Sequence, residues 1–356
     1  MNIGFIYGMP IYPPGMGGSV HGYQLAKGLA DRGHRLYSWY YGDDEVPFVH
    51  HFRARQLLSF LRKIDVLYVR VSWDPTMYRF RNLRWLRLRR LPVVWELNGL
   101  PQENLYYRGR TAVDVQNAAD RLRDGASGVT AAIGVTPSVQ AFLRDEVGIA
   151  SSYCVPNGSD PHLFAPDGTA PGPGRALEVV WIGGRSPWHD LDALTRAART
   201  LADRGAHVRF TIYGDPNRMP ADLPPNVRCP GKVPYADLGR ELARADVGVH
   251  LFRPARDGFV IDGSPLKIFD YMSCGLAVVA RSQGHVGRVL DRTGAGLATD
   301  GTPENLAAAL ENLEAERSWC HQLGTAGRQA VLDYYNWQRV AAETEEILIS
   351  AVEGKA

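Results

Sequence analysis

Residues 165–183 read APDGTAPGPGRALEVVWIG, and this stretch decides the fold. Its first part is dense in proline and glycine, which fix or free the backbone without supporting helix or sheet, so it reads as a linker between domains. Its second part is a β-branched apolar run, the signature of a strand. Before it, apolar runs at 2–7, 35–40, 65–70, 92–97, 128–135 and 152–157 alternate with helical segments such as VHGYQLAKGLADRG. After it the alternation restarts, with runs at 177–183, 207–214, 227–233, 247–252, 276–280 and 294–299. Strand–helix alternation of this kind predicts parallel sheets covered on both faces. The expectation is an α/β chain of two Rossmann-like, doubly wound domains facing a cleft. Residues 1–165 form the first and 175–336 the second, and a final amphipathic helix over 337–356 packs back on the first.

Composition narrows the function. The chain has 356 residues, 45% hydrophobic and 22% charged, with a formal net charge of +2. That is ample for two cores and lacks the strong positive balance expected of a nucleic-acid binder. The four cysteines are far apart and form no CxxC pair, so they read as reduced thiols, and no metal-ligand spacing is visible. MNIGFIYGMP has no basic leader and enters a strand directly, and no run approaches the roughly 20 apolar residues that span a bilayer. The expected setting is the cytoplasm, with peripheral membrane contact as an option.

Open parallel sheets bind ligands beyond the carboxyl ends of their strands, so the loops there carry the candidate chemistry. PPGMGGSVHG (13–22) follows the first strand; its glycines allow close backbone approach, and the helix start suits an anion. The same loop has some likeness to a dinucleotide fingerprint, with Asp43 and Asp44 as ribose acids, but its glycine spacing does not fit. IGGRSPWHD (182–190) places Arg185 in a glycine-flanked loop where a guanidinium can clamp a diphosphate, although most arginines simply sit in solvent.

DGSPLKIFDYMSCG (262–275) is the richest segment. Ser264 suits an N-cap, Pro265 the first helical position and Gly275 the position past the end, predicting a helix from Pro265 to about Cys274. Helix amides near Leu266 and Lys267 would meet phosphate oxygens. Asp270 lies one turn after Lys267 on the same face. The two form either an exposed ion pair of little value or a grip on a nucleotide-sugar: Lys267 on the phosphates, Asp270 on the ribose, Asp262 on the sugar.

The order of these segments resembles the retaining glycosyltransferases of family four, which have the GT-B fold. The resemblance rests on GGS with LAKGLADRGHRL, WELNGLP (95–101), VTPS (135–138), VPNGSDPHLFAP (155–166) and IGGRSPWHDLDAL. It continues through YGD (213–215), GKVPYADL (231–238), SPLKIFDYMSCGLAVVA and NWQRVA. It implies sugar transfer from a nucleotide diphosphate sugar to an acceptor hydroxyl with retention, without metal or other cofactor. It implies catalytic roles for Arg185, Lys267 and Asp262. Donor contacts are expected from Gly17, Gly18, Gly184, Lys232, Val233, Gly263, Ser264, Pro265, Leu266 and Asp270, and sugar or acceptor contacts from His21, Asn98 and His189. Three features depart from the family. Both acids of the Glu-x7-Glu motif are Asp, with shorter reach. His189 and Asp190 stand where a second phosphate-binding lysine is usual. Asn98 replaces a histidine and cannot titrate.

The acceptor is a glycan, a natural product or a lipid-linked molecule. RFRNLRWLRLRRL (79–91) interleaves arginines with apolar residues, as either a solvated amphipathic helix or a surface for anionic lipid. Other readings of the same donor grip are a GT-B epimerase, a sugar phosphorylase or a non-catalytic nucleotide-sugar binder; an NAD-dependent dehydrogenase is more distant.

Overall fold

The computed structural model describes residues 1–39, 46–71, 91–103, 109–167, 174–183, 187–219, 222–254 and 259–355. Arg185 and Gly184, all of the basic segment 79–91 but its last residue, Asp43 and Asp44, and the centre of the linker lie outside these residues. The chain divides into two compact units.

The first unit comprises Met1–Asn157, Asp262–Ser264 and Trp337–Ala356. Its strands are β1 (Asn2–Ile6), β2 (Arg35–Trp39), β3 (Val49–Phe52), β4 (Val66–Val71), β5 (Val93–Leu97), β6 (Ala131–Gly134) and β7 (Ser152–Cys154). They form one parallel sheet in the order β3-β2-β1-β4-β5-β6-β7. Helices α1 (Gly17–Asp31), α2 (Leu57–Lys63), α3 (Ala112–Ala126) and α4 (Pro137–Ala141) follow strands, as right-handed parallel crossovers require. The core joins Phe60, Leu67, Val69, Val93, Leu97, Leu122 and Leu143. Its central strands are apolar on both faces because helices cover both. β3 was not expected: VHHF carries two exposed histidines and only one buried residue, too weak a pattern to read as a strand.

The second unit comprises Gly158–Ile261 and Pro265–Asn336. Its elements are β8 (Leu177–Ile182), α5 (Leu191–Asp203), β9 (Val208–Tyr213), β10 (Val227–Arg228), α6 (Tyr235–Leu242) and β11 (Val247–His250). They continue with α7 (Leu266–Ser273), β12 (Ala277–Arg281), α8 (Gly284–Thr293), β13 (Gly296–Thr299), α9 (Pro303–Ala315) and α10 (Arg317–Asp333). The parallel order is β10-β9-β8-β11-β12-β13, and the core joins Leu177, Trp181, Leu194, Phe210, Val249, Leu306 and Leu310. The strand expected over 227–233 ends at Arg228, because Pro230 cannot donate to the ladder and Gly231 has a φ of 108°.

The units part at Asn157, before the Pro/Gly segment. Residues 158–164 belong to the second unit because Phe164 is fully buried there and packs edge-on against Tyr235. Helix α11 (Trp337–Val352) counts with the first unit. It lies against α1, where a Cβ on Gly28 would come within 2.6 Å of the Ala341 Cβ, and Glu345 accepts from His34 at 2.6 Å.

Candidate functional site

In each sheet the strand order reverses beside the first strand, between β1 and β4 in one and β8 and β11 in the other. Such a switch point leaves a crevice at the strands' carboxyl ends, because the helices leave on opposite faces.

At the switch point of the second unit, β8 ends in Trp181 and Ile182, and Gly183 follows with φ 104°, a conformation few side chains adopt. The Ile182 N–H donates to the Tyr271 hydroxyl at 2.8 Å, which ties α7 to the end of β8. Pro265 occupies the cap position of α7 in an extended conformation, and no side chain caps the helix. Its first amides therefore keep the partial positive charge of a helix start. Ser264, expected to be the cap, is not: its hydroxyl accepts the Asn157 N–H at 3.2 Å. The helix accordingly runs one residue shorter at each end than expected.

Lys267 lies in the first turn of α7. Its stem is half-buried, but its ammonium is fully buried and has no hydrogen-bond partner among the described residues. It sits 4.7 Å from the centroid of the Trp181 ring and 3.3 Å from where a Cβ on Gly183 would be. The indole is fixed by its own N–H donating to the Gly183 carbonyl at 2.9 Å. Burial lowers the Lys267 pKa to about 7. The exposed ion pair with Asp270 does not form. Asp270 is buried one turn on and accepts from the Ser159 hydroxyl at 2.7 Å. Burial raises its pKa to about 7, the Ser159 bond opposes this, and Asp160 adds to it.

His250 ends β11 beside this lysine. It is buried, its ring nitrogens have no hydrogen-bond partner among the described residues, and it stands edge-on to Phe252 at 4.4 Å. Burial, then Lys267 and His189, push its pKa well below the usual histidine range, so it is neutral. His189 is half-buried and packs edge-on to Trp181 and His250, each at 5.5 Å. The neighbouring Asp190 is structural: it caps α5 through the Ala193 N–H at 3.2 Å and pairs with Arg281 at 3.2 Å. Lys232 is exposed and Val233 half-buried, in the loop between β10 and α6. β10 is the edge strand, two strands from β8.

In the first unit, Gly17 and Gly18 are the opening residues of α1. A Cβ on Gly18 would come 2.7 Å from the Met9 sulfur, so the close approach is to this loop's own side chain, while Gly15 borders open space. Ser19 reaches back to accept the N–H groups of Gly15 and Met16 at 3.1 and 3.0 Å. His21 is buried. Its Nε2 meets Glu96 at 2.8 Å and its Nδ1 meets the Asn157 Oδ1 at 2.7 Å. Both nitrogens are occupied, so His21 has none to offer a sugar, correcting that expectation. Glu96 also accepts from Tyr68 and pairs with Arg70 at 3.1 Å, while Arg70 donates to Tyr7. Burial alone would raise the Glu96 pKa, but His21, Arg70 and the Tyr68 bond outweigh it and hold it at about 2.

Asn157 closes this network. Its Nδ2 donates to the Ser264 carbonyl at 2.5 Å, besides the backbone bond to the Ser264 hydroxyl. Asp262 and Ser264 are buried and Gly263 half-buried in this segment of the first unit. Pro265 and Leu266 are half-buried where the second unit resumes. Asn98 is exposed just past β5, at a strand's carboxyl end.

Sequence reasoning missed Glu96, Arg70, Asn157, Trp181 and His250. One signal was present: an acid inside the apolar strand VVWEL needs buried partners. The others carry no local mark.

Residues 176–316 match the family model described as "Glycosyl transferases group 1". A GDP-mannose-dependent alpha-(1-6)-phosphatidylinositol monomannoside mannosyltransferase from Mycolicibacterium smegmatis is 30% identical over 211 residues, covering 54% of this chain and 55% of that protein. The Mycobacterium tuberculosis protein of the same name is 25% identical over 244 residues, covering 64% and 63%. The chain thus aligns with less than two thirds of the length of these relatives. Among solved structures, sucrose-phosphate synthase from Thermosynechococcus elongatus superposes with a TM-score of 0.71 at 18% identity, over 98% of both chains. Anabaena HepE in complex with UDP-glucose gives 0.71 at 17% identity, over 98% of this chain and 100% of that one. With two parallel sheets of the same strand order, the chain has the GT-B fold, and residues 176–316 are similar to the glycosyl transferases group 1 family.

Proposed function

We propose that the protein is a retaining glycosyltransferase that moves a sugar from a nucleotide diphosphate sugar to an acceptor hydroxyl. The observation that carries this reading is the Lys267 ammonium, buried without a hydrogen-bond partner among the described residues beside the uncapped start of α7. A buried cation with no counter-charge is held at a cost, and a diphosphate is the anion that lowers it.

In the reaction, the bond from sugar C1 to the distal phosphate oxygen breaks and its electron pair goes to the diphosphate. The acceptor oxygen bonds to C1 on the same face, and its proton passes to that phosphate oxygen. Charge develops on the leaving group, so fixed positive groups beside it lower the barrier. Lys267 and the α7 amides supply them, joined by Arg185, which removes any need for a metal ion. Asp270 binds the ribose and Asp262 the sugar. Gly184, Gly263, Pro265 and Leu266 line the donor. Lys232 and Val233 read the base through their backbone. Asn98 and His189 contact the sugar or the acceptor.

GDP-mannose is the donor to try first, because the sequence relatives are named for it. Their acceptor is a phosphatidylinositol mannoside, which favours a lipid-linked acceptor here, met at the cytoplasmic membrane face through residues 79–91.

The test is a thermal-shift series with GDP, UDP, ADP, dTDP and NAD on wild type and Lys267→Met, followed by donor turnover with and without EDTA. A ligand at 100 times its Kd raises stability by about 2.7 kcal/mol. One nucleoside diphosphate should shift the wild type and not the variant, and EDTA should leave turnover unchanged. A shift with NAD alone would overturn the reading. The anomeric configuration of the product, read by proton NMR, tests retention.

A further inference from the structure

We infer that Asn157 and His21 are positioning residues that set the Asp262–Ser264 segment, an inference that rests on the glycosyltransferase reading for its effect on turnover. The bonds form one chain from Glu96 through His21 and Asn157 to Ser264. The Ser264 carbonyl can only accept, so the Asn157 amide must turn its Nδ2 to it and its Oδ1 to His21. His21 Nδ1 must therefore carry hydrogen. Nε2 meets the Glu96 carboxylate, which Arg70 also pairs, so the ring is held at both nitrogens and cannot turn away from Asn157 without losing Glu96.

The far end of the chain is what gives it a use. Asn157 holds Ser264 twice, at its hydroxyl and at its carbonyl. The carbonyl bond fixes the peptide plane after Ser264, and the hydroxyl bond fixes its side chain. The chain thereby orients Asp262 and Gly263, which precede Ser264 in the same segment of the first unit. A catalytic group displaced by about 1 Å can cost roughly 10²-fold in rate, so loosening this segment should act on turnover rather than on nucleotide affinity.

The test is Asn157→Asp, which keeps the shape but turns an oxygen to the Ser264 carbonyl, and Ser264→Ala, which removes only the hydroxyl bond. The expected result for Asn157→Asp is a kcat lower by about 10- to 100-fold, with the Kd for the bound nucleoside diphosphate within about twofold of wild type. Ser264→Ala should fall between the two. An unchanged kcat in both variants, or a kcat and nucleotide affinity that fall together, would overturn the inference. If Asn157→Asp does not fold, the same split is read from Ser264→Ala. A wild type that turns over no donor sinks the transferase reading instead. The chain then has its own readout: in denaturant unfolding the losses from His21→Gln and Asn157→Asp should be non-additive in the double variant, and additive losses would break the chain itself.

Discussion

The two switch points hold the same ingredients, a buried acid and a buried cation, and use them in opposite ways. In the first unit Glu96 meets Arg70 and His21 directly, and its pKa falls to about 2. In the second unit Asp270 and Lys267 sit one turn apart on α7 yet do not meet. Asp270 binds Ser159, Lys267 faces the ring of Trp181, and each has a pKa of about 7. Burial disfavours charge in both places; the difference is whether the protein supplies the opposite charge. Where it does, the group belongs to the scaffold. Where it does not, the group is left open, in the reading proposed above, to phosphate at Lys267 and to ribose hydroxyls at Asp270.

The comparison breaks most decisively at Glu96. Glu96→Ala leaves Arg70 and His21 buried without their counter-charge and should cost about 3–5 kcal/mol in denaturant unfolding. A loss under about 1 kcal/mol would mean the cluster is not the scaffold described here.

Asp270 should show the opposite pH behaviour to Glu96. Its folded pKa is raised, from the ordinary 3.8 to about 7, so the folded state binds more protons across that window. Stability is then highest at the acid end and declines as pH rises to about 7. Asp270→Asn should remove this component, worth about 2–4 kcal/mol at one pKa unit per 1.4 kcal/mol. The Glu96 component runs the other way: it is present above the ordinary glutamate pKa and lost as pH falls through about 2. Unfolding curves of wild type and variant from pH 4 to 8 check the sign.

Removing a buried cation that lacks a counter-charge among the described residues should help the fold. Lys267→Met should be about 2 kcal/mol more stable by denaturant unfolding, the relief from burial being partly offset by the lost contact with the Trp181 ring. The same variant should bind nucleoside diphosphate more weakly. Gains in both would show that Lys267 does not face the phosphates.

The smallest effect sharpens the picture. A bound diphosphate raises the Lys267 pKa above about 7, so its contribution to affinity is full below that pH and declines above it. Calorimetric affinity should weaken by up to about tenfold per pH unit over this range, and Lys267→Arg should flatten the slope.

Much of the architecture was legible because it is written in local pattern. Among the described residues the apolar runs mark twelve of thirteen strands, and VHHF alone escaped. Its exposed histidines pair with Tyr37 and Ser38 of β2, and sequence does not announce that pairing. The spacing of Lys267 and Asp270 on one helix was equally readable. What each touches was not, since Trp181 and Ser159 come from distant positions. His21 illustrates the limit: a histidine near a glycine-rich loop invites a ligand role, and only the partners at Glu96 and Asn157 show that it is already spent.

The sequence by itself therefore determined the alternation of strand and helix, the two-domain division and the helix that carries Lys267 and Asp270, because propensity and periodicity act over a few residues. The tertiary structure decided which buried charges found partners. That depends on residues 75 and 136 positions from His21 and 111 from Asp270. Burial and Coulomb interaction act through space, and no pattern along the chain encodes them.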